Sequence, residues 1–234
     1  HLLVALGLIA AGDPVIADPQ PAAINVLPPG QYHESEVPHP DGSSWLALIV
    51  KNDQSRLEPV RLRITQVYDP IVDNDEKGPH TGKIVTTEPA LNAMLLVQGA
   101  VLREGAVKSA AVAGSKTGLA EKTISFESST YTLSVSSGCG QEKSPCQWIL
   151  SQGGKTQMLH EIYVTNAEDN ALDTDSPNTG IVWAGDLDGD QRLDLILDVS
   201  NHYNSVADLK VFLSSQAKQD QLVGEAGTFH AVGC

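Results

Sequence analysis

Between Val60 and Val67 apolar and polar side chains alternate, with Val60, Leu62 and Ile64 on one side and Arg61, Arg63 and Thr65 on the other. A period of two predicts a half-buried β-strand. Leu193, Leu195, Leu197 and Val199 alternate in the same way with Asp194, Ile196 and Asp198. Trp45–Val50 is a short continuous apolar run, which suits a strand buried on both faces. Strand-like runs recur at Thr123–Phe126, Tyr131–Val135, Gln147–Ser151, Thr156–His160, Ile181–Ala184, Leu209–Leu213 and Thr228–Val232. Residues 90–112 are rich in Ala, Leu and Met, yet Gly99 and Gly105 interrupt any helix there at a cost of about 1 kcal/mol each. A strand is therefore expected over Asn92–Ala100. The pattern predicts an all-β protein of antiparallel sheets, arranged as a sandwich or a propeller-like array. No internal repeat of fixed period is present.

The first residues break this pattern. Leu2–Ala11 is uniformly apolar and is followed by Gly12-Asp13-Pro14. The run is too short to cross a bilayer, which takes roughly 20 residues. It matches the apolar core of a secretory signal, with small residues at Val15 and Ala17 where cleavage is expected. Residues 1–17 are thus read as a truncated signal peptide, and the protein as exported to the periplasm or beyond. A buried N-terminal strand is the alternative, against which Gly12-Asp13-Pro14 argues. Residues 18–44, rich in proline, are expected to form an extended lead. Residues 45–112 and 119–234 are expected to form two β subdomains, joined by the linker-like Ala113–Gly118.

Composition narrows the function classes. With 41% apolar and 19% charged residues the chain is globular, and with only 5% aromatics its core must rely on aliphatic side chains. A formal net charge of −14 disfavours nucleic acid and anionic lipid as partners and favours cations, although solubility alone can account for it. Cys139 and Cys146 enclose a turn-forming hexapeptide, and a disulfide between them would staple a hairpin by about 2.5 kcal/mol. A zinc site would need two further ligands, which the neighbourhood lacks. Cys234 is left over, either free or as a partner for one of the other two.

The most specific chemistry lies in Gly185-Asp186-Leu187-Asp188-Gly189-Asp190-Gln191-Arg192-Leu193-Asp194-Leu195. Asp186, Asp188, Asp190 and Asp194 occupy positions 1, 3, 5 and 9 of one short loop. Carboxylates so spaced turn inward on a tight bend, an arrangement suited to a hard cation with oxygen ligands. The backbone carbonyl of Arg192 would supply a further oxygen. Calcium fits such donors, whereas zinc favours nitrogen and sulfur. An EF-hand would require Gly at position 6, Glu at position 12 and flanking helices; the chain has Gln191, Leu197 and strand periodicity.

The motif Gly-Asp-x-Asp-Gly-Asp-x-x-x-Asp-Leu resembles the calcium loop of the FG-GAP repeat, found in integrin-type β-propellers and in many secreted bacterial proteins. The resemblance implies that Asp186, Asp188, Asp190, the carbonyl of Arg192 and Asp194 hold Ca²⁺. It covers about 20 residues, and a propeller needs several such units where this chain has one. Gln191 stands where the family usually has Gly, at a cost of about 1 kcal/mol if its φ is positive.

Other candidates are weaker. Asp69–Gly82 carries Asp69, Asp73, Asp75 and Glu76, and is read as a solvated turn in preference to a second cation site. Ser200-Asn201-His202-Tyr203-Asn204 is read as an Asn-rich turn in preference to a ligand groove contacted by His202 and Tyr203. Trp183 is expected in the core. Catalytic signatures fail. Gly154-Lys155-Thr156 lacks the upstream Gly of a phosphate loop, since that position is Ile149. Lys116-Thr117-Gly118 precedes Ser215 and Lys218, the reverse of the β-lactamase order. His160-Glu161 lacks the second His of a zincin. The expectation is an exported, calcium-stabilised, non-catalytic β protein, a binding or structural module of the cell envelope with a saccharide, cell-wall component or protein as ligand. An interaction or inhibitor module within an envelope assembly belongs to the same class. The alternative is an envelope hydrolase acting through Asp194, Asp198 and His202.

Overall fold

The alternation that begins at Val60 belongs to a longer strand, and the sheets grow out from it. The computed structural model describes residues 23–114, 116, 120–136, 146–162, 180–200 and 205–232. In chain order its strands are β1 (Asn25–Leu27), β2 (Gly30–Tyr32), β3 (Ser44–Lys51), β4 (Gln54–Val67), β5 (Gly82–Glu88), β6 (Leu95–Gln98), β7 (Gly105–Ser109) and β8 (Ala111–Ala113). There follow β9 (Lys122–Phe126), β10 (Ser129–Val135), β11 (Cys146–Gln152), β12 (Lys155–Ile162), β13 (Gly180–Asp186), β14 (Asp194–Asp198), β15 (Ser205–Leu213) and β16 (Gly224–Val232). Two single 3-10 turns, Glu34–Glu36 and Ser214–Gln216, are the only helical segments among the described residues.

Every strand pair is antiparallel, so the all-β, antiparallel class is the one observed. The larger sheet runs β1-β6-β3-β4-β7-β13-β14-β15-β16, with β5 and then β2 branching from β4. Its last strand returns to its first: Ile24 N–H donates to Ala226 O at 2.8 Å, which makes the sheet a nearly closed barrel. Gly227 permits this seam, because a Cβ there would lie 1.9 Å from Ile24 O. The smaller sheet runs β12-β11-β10-β9-β8. The sheets therefore do not follow the two halves of the chain, since β13–β16 join β1–β7.

Along one edge β4 pairs with β3; along the other it pairs with β7 over Ser55–Leu57 and with β5 over Arg61–Val67. Pro59 falls between these two partners, where its missing N–H leaves no ladder bond unmade on that edge. The apolar run at Trp45 explains itself in β3: Leu48 faces one core and Ala47 another, both fully buried. The strand expected over Asn92–Ala100 is the shorter β6. The proline-rich lead carries β1, β2 and the first 3-10 turn, and it buries Leu27, Tyr32 and Val37.

A third core joins the sheets. Ile124, Phe126, Leu133, Trp148 and Leu150 of the smaller sheet pack against Ile181, Leu195, Leu197 and Phe212 of the larger. Gln157 fastens the same contact, accepting from Leu222 N–H at 2.7 Å and donating to Val223 O at 2.7 Å. Cys146, fully buried at the start of β11, is disulfide-bonded. Cys139, Cys234 and the expected signal peptide lie outside the described residues, so the expected Cys139–Cys146 pairing does too. Among the described residues no helix is long and apolar enough to cross a membrane.

Candidate metal centre

The aspartate motif forms the connection between β13 and β14. Asp186 ends the first strand, Asp194 begins the second, and Gly185 lies opposite Asp194 in the ladder. Leu187 and Leu193 are both buried and anchor the loop at its two ends. Between them the chain turns through left-handed conformations at Gly189 (φ +85°) and Gln191 (φ +65°).

These turns point backbone N–H groups at the carboxylates. Asp186 accepts from Gly189 N–H at 2.8 Å and from Gln191 N–H at 3.0 Å. Asp188 accepts from Asp190 N–H at 3.3 Å, and Asp194 Oδ2 from Leu187 N–H at 2.7 Å. As a result one carboxylate oxygen each from Asp186, Asp188 and Asp194 lies within 4.8 Å of the others. This cluster can hold a metal ion, and it is the only such grouping of His, Cys, Asp and Glu among the described residues.

Asp190 and Arg192 take different positions from these three. Arg192 donates to Asp190 through Nε at 2.9 Å, Nη2 at 2.7 Å and its backbone N–H at 2.9 Å. Two further residues, neither of them expected at this loop from the sequence, complete the surroundings. Ser214 donates its N–H to Asp194 Oδ1 at 2.8 Å, and its hydroxyl lies 3.1 Å from the same oxygen and 2.8 Å from Asp190 Oδ2. Ser215 Oγ donates to Asp188 Oδ2. A hydroxyl has one hydrogen. Ser214 Oγ therefore donates to one carboxylate at a time, while backbone N–H groups, Ser215 and Arg192 give every carboxylate oxygen of the loop at least one donor. No sequence signal marks these serines, because they arrive from the far end of β15.

The electrostatics agree. Two carboxylates about 5 Å apart at an effective dielectric constant of about 20 repel by about 3 kcal/mol. Asp194 has no exposed surface, and its burial, reinforced by the charges of Asp188 and Asp190, pushes its carboxyl up to about 7. N–H donors from Ser214 and Leu187 pull the other way without cancelling the effect.

The other sequence candidates separate from this cluster. Asp198 caps the end of β14, accepting from Ser200 N–H at 2.9 Å and Ser200 Oγ at 2.5 Å, and burial raises its pKa. Four residues of strand place Asp194 and Asp198 about 13 Å apart at about 3.3 Å per residue. That exceeds the roughly 5–9.5 Å spanned by the carboxylate pairs of glycosidases. His202 and Tyr203 lie outside the described residues. Trp183 is buried as expected, its indole N–H donating to Ser55 Oγ at 3.1 Å.

The acidic segment Asp69–Gly82 is a turn, held by its own hydrogen bonds. Asp73 accepts from Asp69 N–H at 2.8 Å and from Thr81 Oγ1 at 2.6 Å. Asp69 is buried and not solvated: Oδ2 meets His33 Nδ1 at 2.5 Å, and Oδ1 accepts from Ile71 N–H at 3.0 Å. Neither family models nor curated proteins nor solved structures show a match to this chain.

Proposed function

We propose that the chain is an exported, non-catalytic β protein in which Asp186, Asp188 and Asp194 hold one Ca²⁺ as a structural ion, in a loop of the FG-GAP type. The observation that carries the reading is the convergence of these three carboxylates, one of them fully buried. The donors are all oxygen, which favours a hard cation over zinc or copper. Asp190 and the Arg192 carbonyl are the two remaining candidates for ligands, and both belong to the same turn. Calcium binding would neutralise the repulsion and fix the β13–β14 connection.

Export is supported by the apolar run at Leu2–Ala11 and by the cysteine pair, and the negative net charge is compatible with a cation-rich exterior. In such a setting the protein would serve as a binding or structural module of the cell envelope, with a saccharide, a cell-wall component or a protein as its ligand. The separation of Asp194 from Asp198 disfavours a carboxylate-pair hydrolase.

Thermal unfolding of the full chain in Ca²⁺ and in chelator tests the proposal. Calcium at about a hundred times its Kd stabilises by about 2.7 kcal/mol, which raises the Tm of a chain this size by about 5–10 °C. Asp188→Asn combined with Asp186→Asn should abolish the shift. Superimposable melting curves with and without calcium would reject the structural ion.

A further inference from the structure

The serine turn at Ser214–Gln216 does more than cover the aspartates. We infer that Ser214 and Ser215 are positioning residues of the cation site, and that they tie its occupancy to closure of the barrel seam between β16 and β1. This rests on the reading of the aspartate cluster as a calcium site.

The contacts form one continuous path. Ser215 Oγ holds Asp188, while the N–H and hydroxyl of Ser214 hold Asp194, so two ligands from opposite ends of the loop meet two adjacent residues of one turn. The turn in turn sits on the start of β16: a Cβ on Gly224 would lie 2.2 Å from Gln216 O. Two residues further along, Ala226 O accepts the Ile24 N–H that closes the barrel. The bare main chain of Gly227 lies against Ile24 at the same point.

A shift of Asp188 and Asp194 therefore reaches the seam through groups in van der Waals or hydrogen-bond contact. Repelling carboxylates would push the turn outward and loosen Gly224 and Ala226. Carboxylates drawn together on a cation would hold the turn, and with it the first residues of β16. The connection from β15 to β16 is thus the part of the molecule that senses whether the site is filled.

Hydrogen exchange of the full chain, followed by mass spectrometry in CaCl₂ and in EGTA, tests this, with calcium affinity measured by titration calorimetry on the same samples. In the wild type, calcium should slow exchange about tenfold or more both in the 187–193 loop and at residues 24 and 224–227. In Ser214→Ala/Ser215→Ala, calcium should still bind, about tenfold more weakly, and protect the loop while the seam loses most but not all of its calcium-dependent protection, because the residue 214 N–H still reaches Asp194. Ser215→Ala alone, at an exposed position, supplies a milder variant that should lose part of the seam protection. Protection confined to the loop in the wild type, or an unchanged seam response in the double variant, would overturn the coupling while leaving the calcium site standing. Absence of calcium binding to the wild type would remove the site and the coupling together.

Discussion

A Cβ on Gly185 would lie 2.2 Å from the carbonyl oxygen of Lys108, so β13 and β7 approach as closely as they do only because residue 185 has no side chain. The same Cβ would lie 2.7 Å from the Trp183 ring. Neither neighbour is a flexible chain end. Gly185→Ala should therefore destabilise the fold by at least about 2 kcal/mol, read as a fall in the denaturation midpoint. A variant with wild-type stability would show that the β7–β13 contact is looser than described.

Gln191 holds a left-handed backbone at φ +65°. A non-glycine residue there costs about 1–2 kcal/mol, while glycine gives back part of the gain through its greater freedom when unfolded. Gln191→Gly should stabilise the protein by about 0.5 kcal/mol, measurable by urea denaturation in chelator. Destabilisation would mean that the glutamine side chain contributes more than its backbone costs.

Asp194 gives the protein in chelator a distinctive response to pH. Its folded pKa, pushed up to about 7 mainly by burial, lies above the unfolded value of 3.8. The stability held by its protonated form is complete below the unfolded value and is lost as pH rises toward about 7. Asp198, also raised by burial, adds in the same direction. In chelator, stability should decline from about pH 4 to pH 7, and Asp194→Asn should flatten that decline. A rise over the same interval in the wild type would contradict the assigned environment.

The His33–Asp69 pair joins the N-terminal lead to the turn after β4. Donation from His33 Nδ1–H to the Asp69 carboxylate raises His33's pKa, and the same bond lowers that of Asp69. Stability from His33 is complete below its unfolded pKa of 6.5 and is lost as pH climbs through its raised folded value. Asp69→Ala should cost about 1–3 kcal/mol near pH 6, because it leaves His33 and two backbone N–H groups short of an acceptor. It should also remove most of the stability loss above pH 6.5, as followed by denaturant titration across pH.

What could be read from the sequence was what is local. Alternation placed Val60–Val67 and Leu193–Val199 in strands because half-buried strands imprint a period of two. The convergence of Asp186, Asp188 and Asp194 was equally legible, since the spacing of carboxylates within one turn is a property of the turn alone. The lead was not: β1 and β2 are three residues long, too short to show any period. Which strands pair was not legible either, because the pairing of β7 with β13 joins segments some 75 residues apart. The same limit hid Ser214 and Ser215, which reach Asp188, Asp190 and Asp194 only after β15 folds back along β14. It also hid the burial of Lys122, whose ammonium lies 5.6 Å from the centre of the Trp148 ring and donates to Ala120 O at 2.8 Å.

The most direct test of the proposed calcium site is an anomalous difference map from crystals of the full chain grown with millimolar CaCl₂. The expected result is a single peak between β13 and β14, about 2.3–2.6 Å from an oxygen of each of Asp186, Asp188 and Asp194. Featureless density at that point, with Asp194 held only by Leu187 and Ser214, would contradict the central claim.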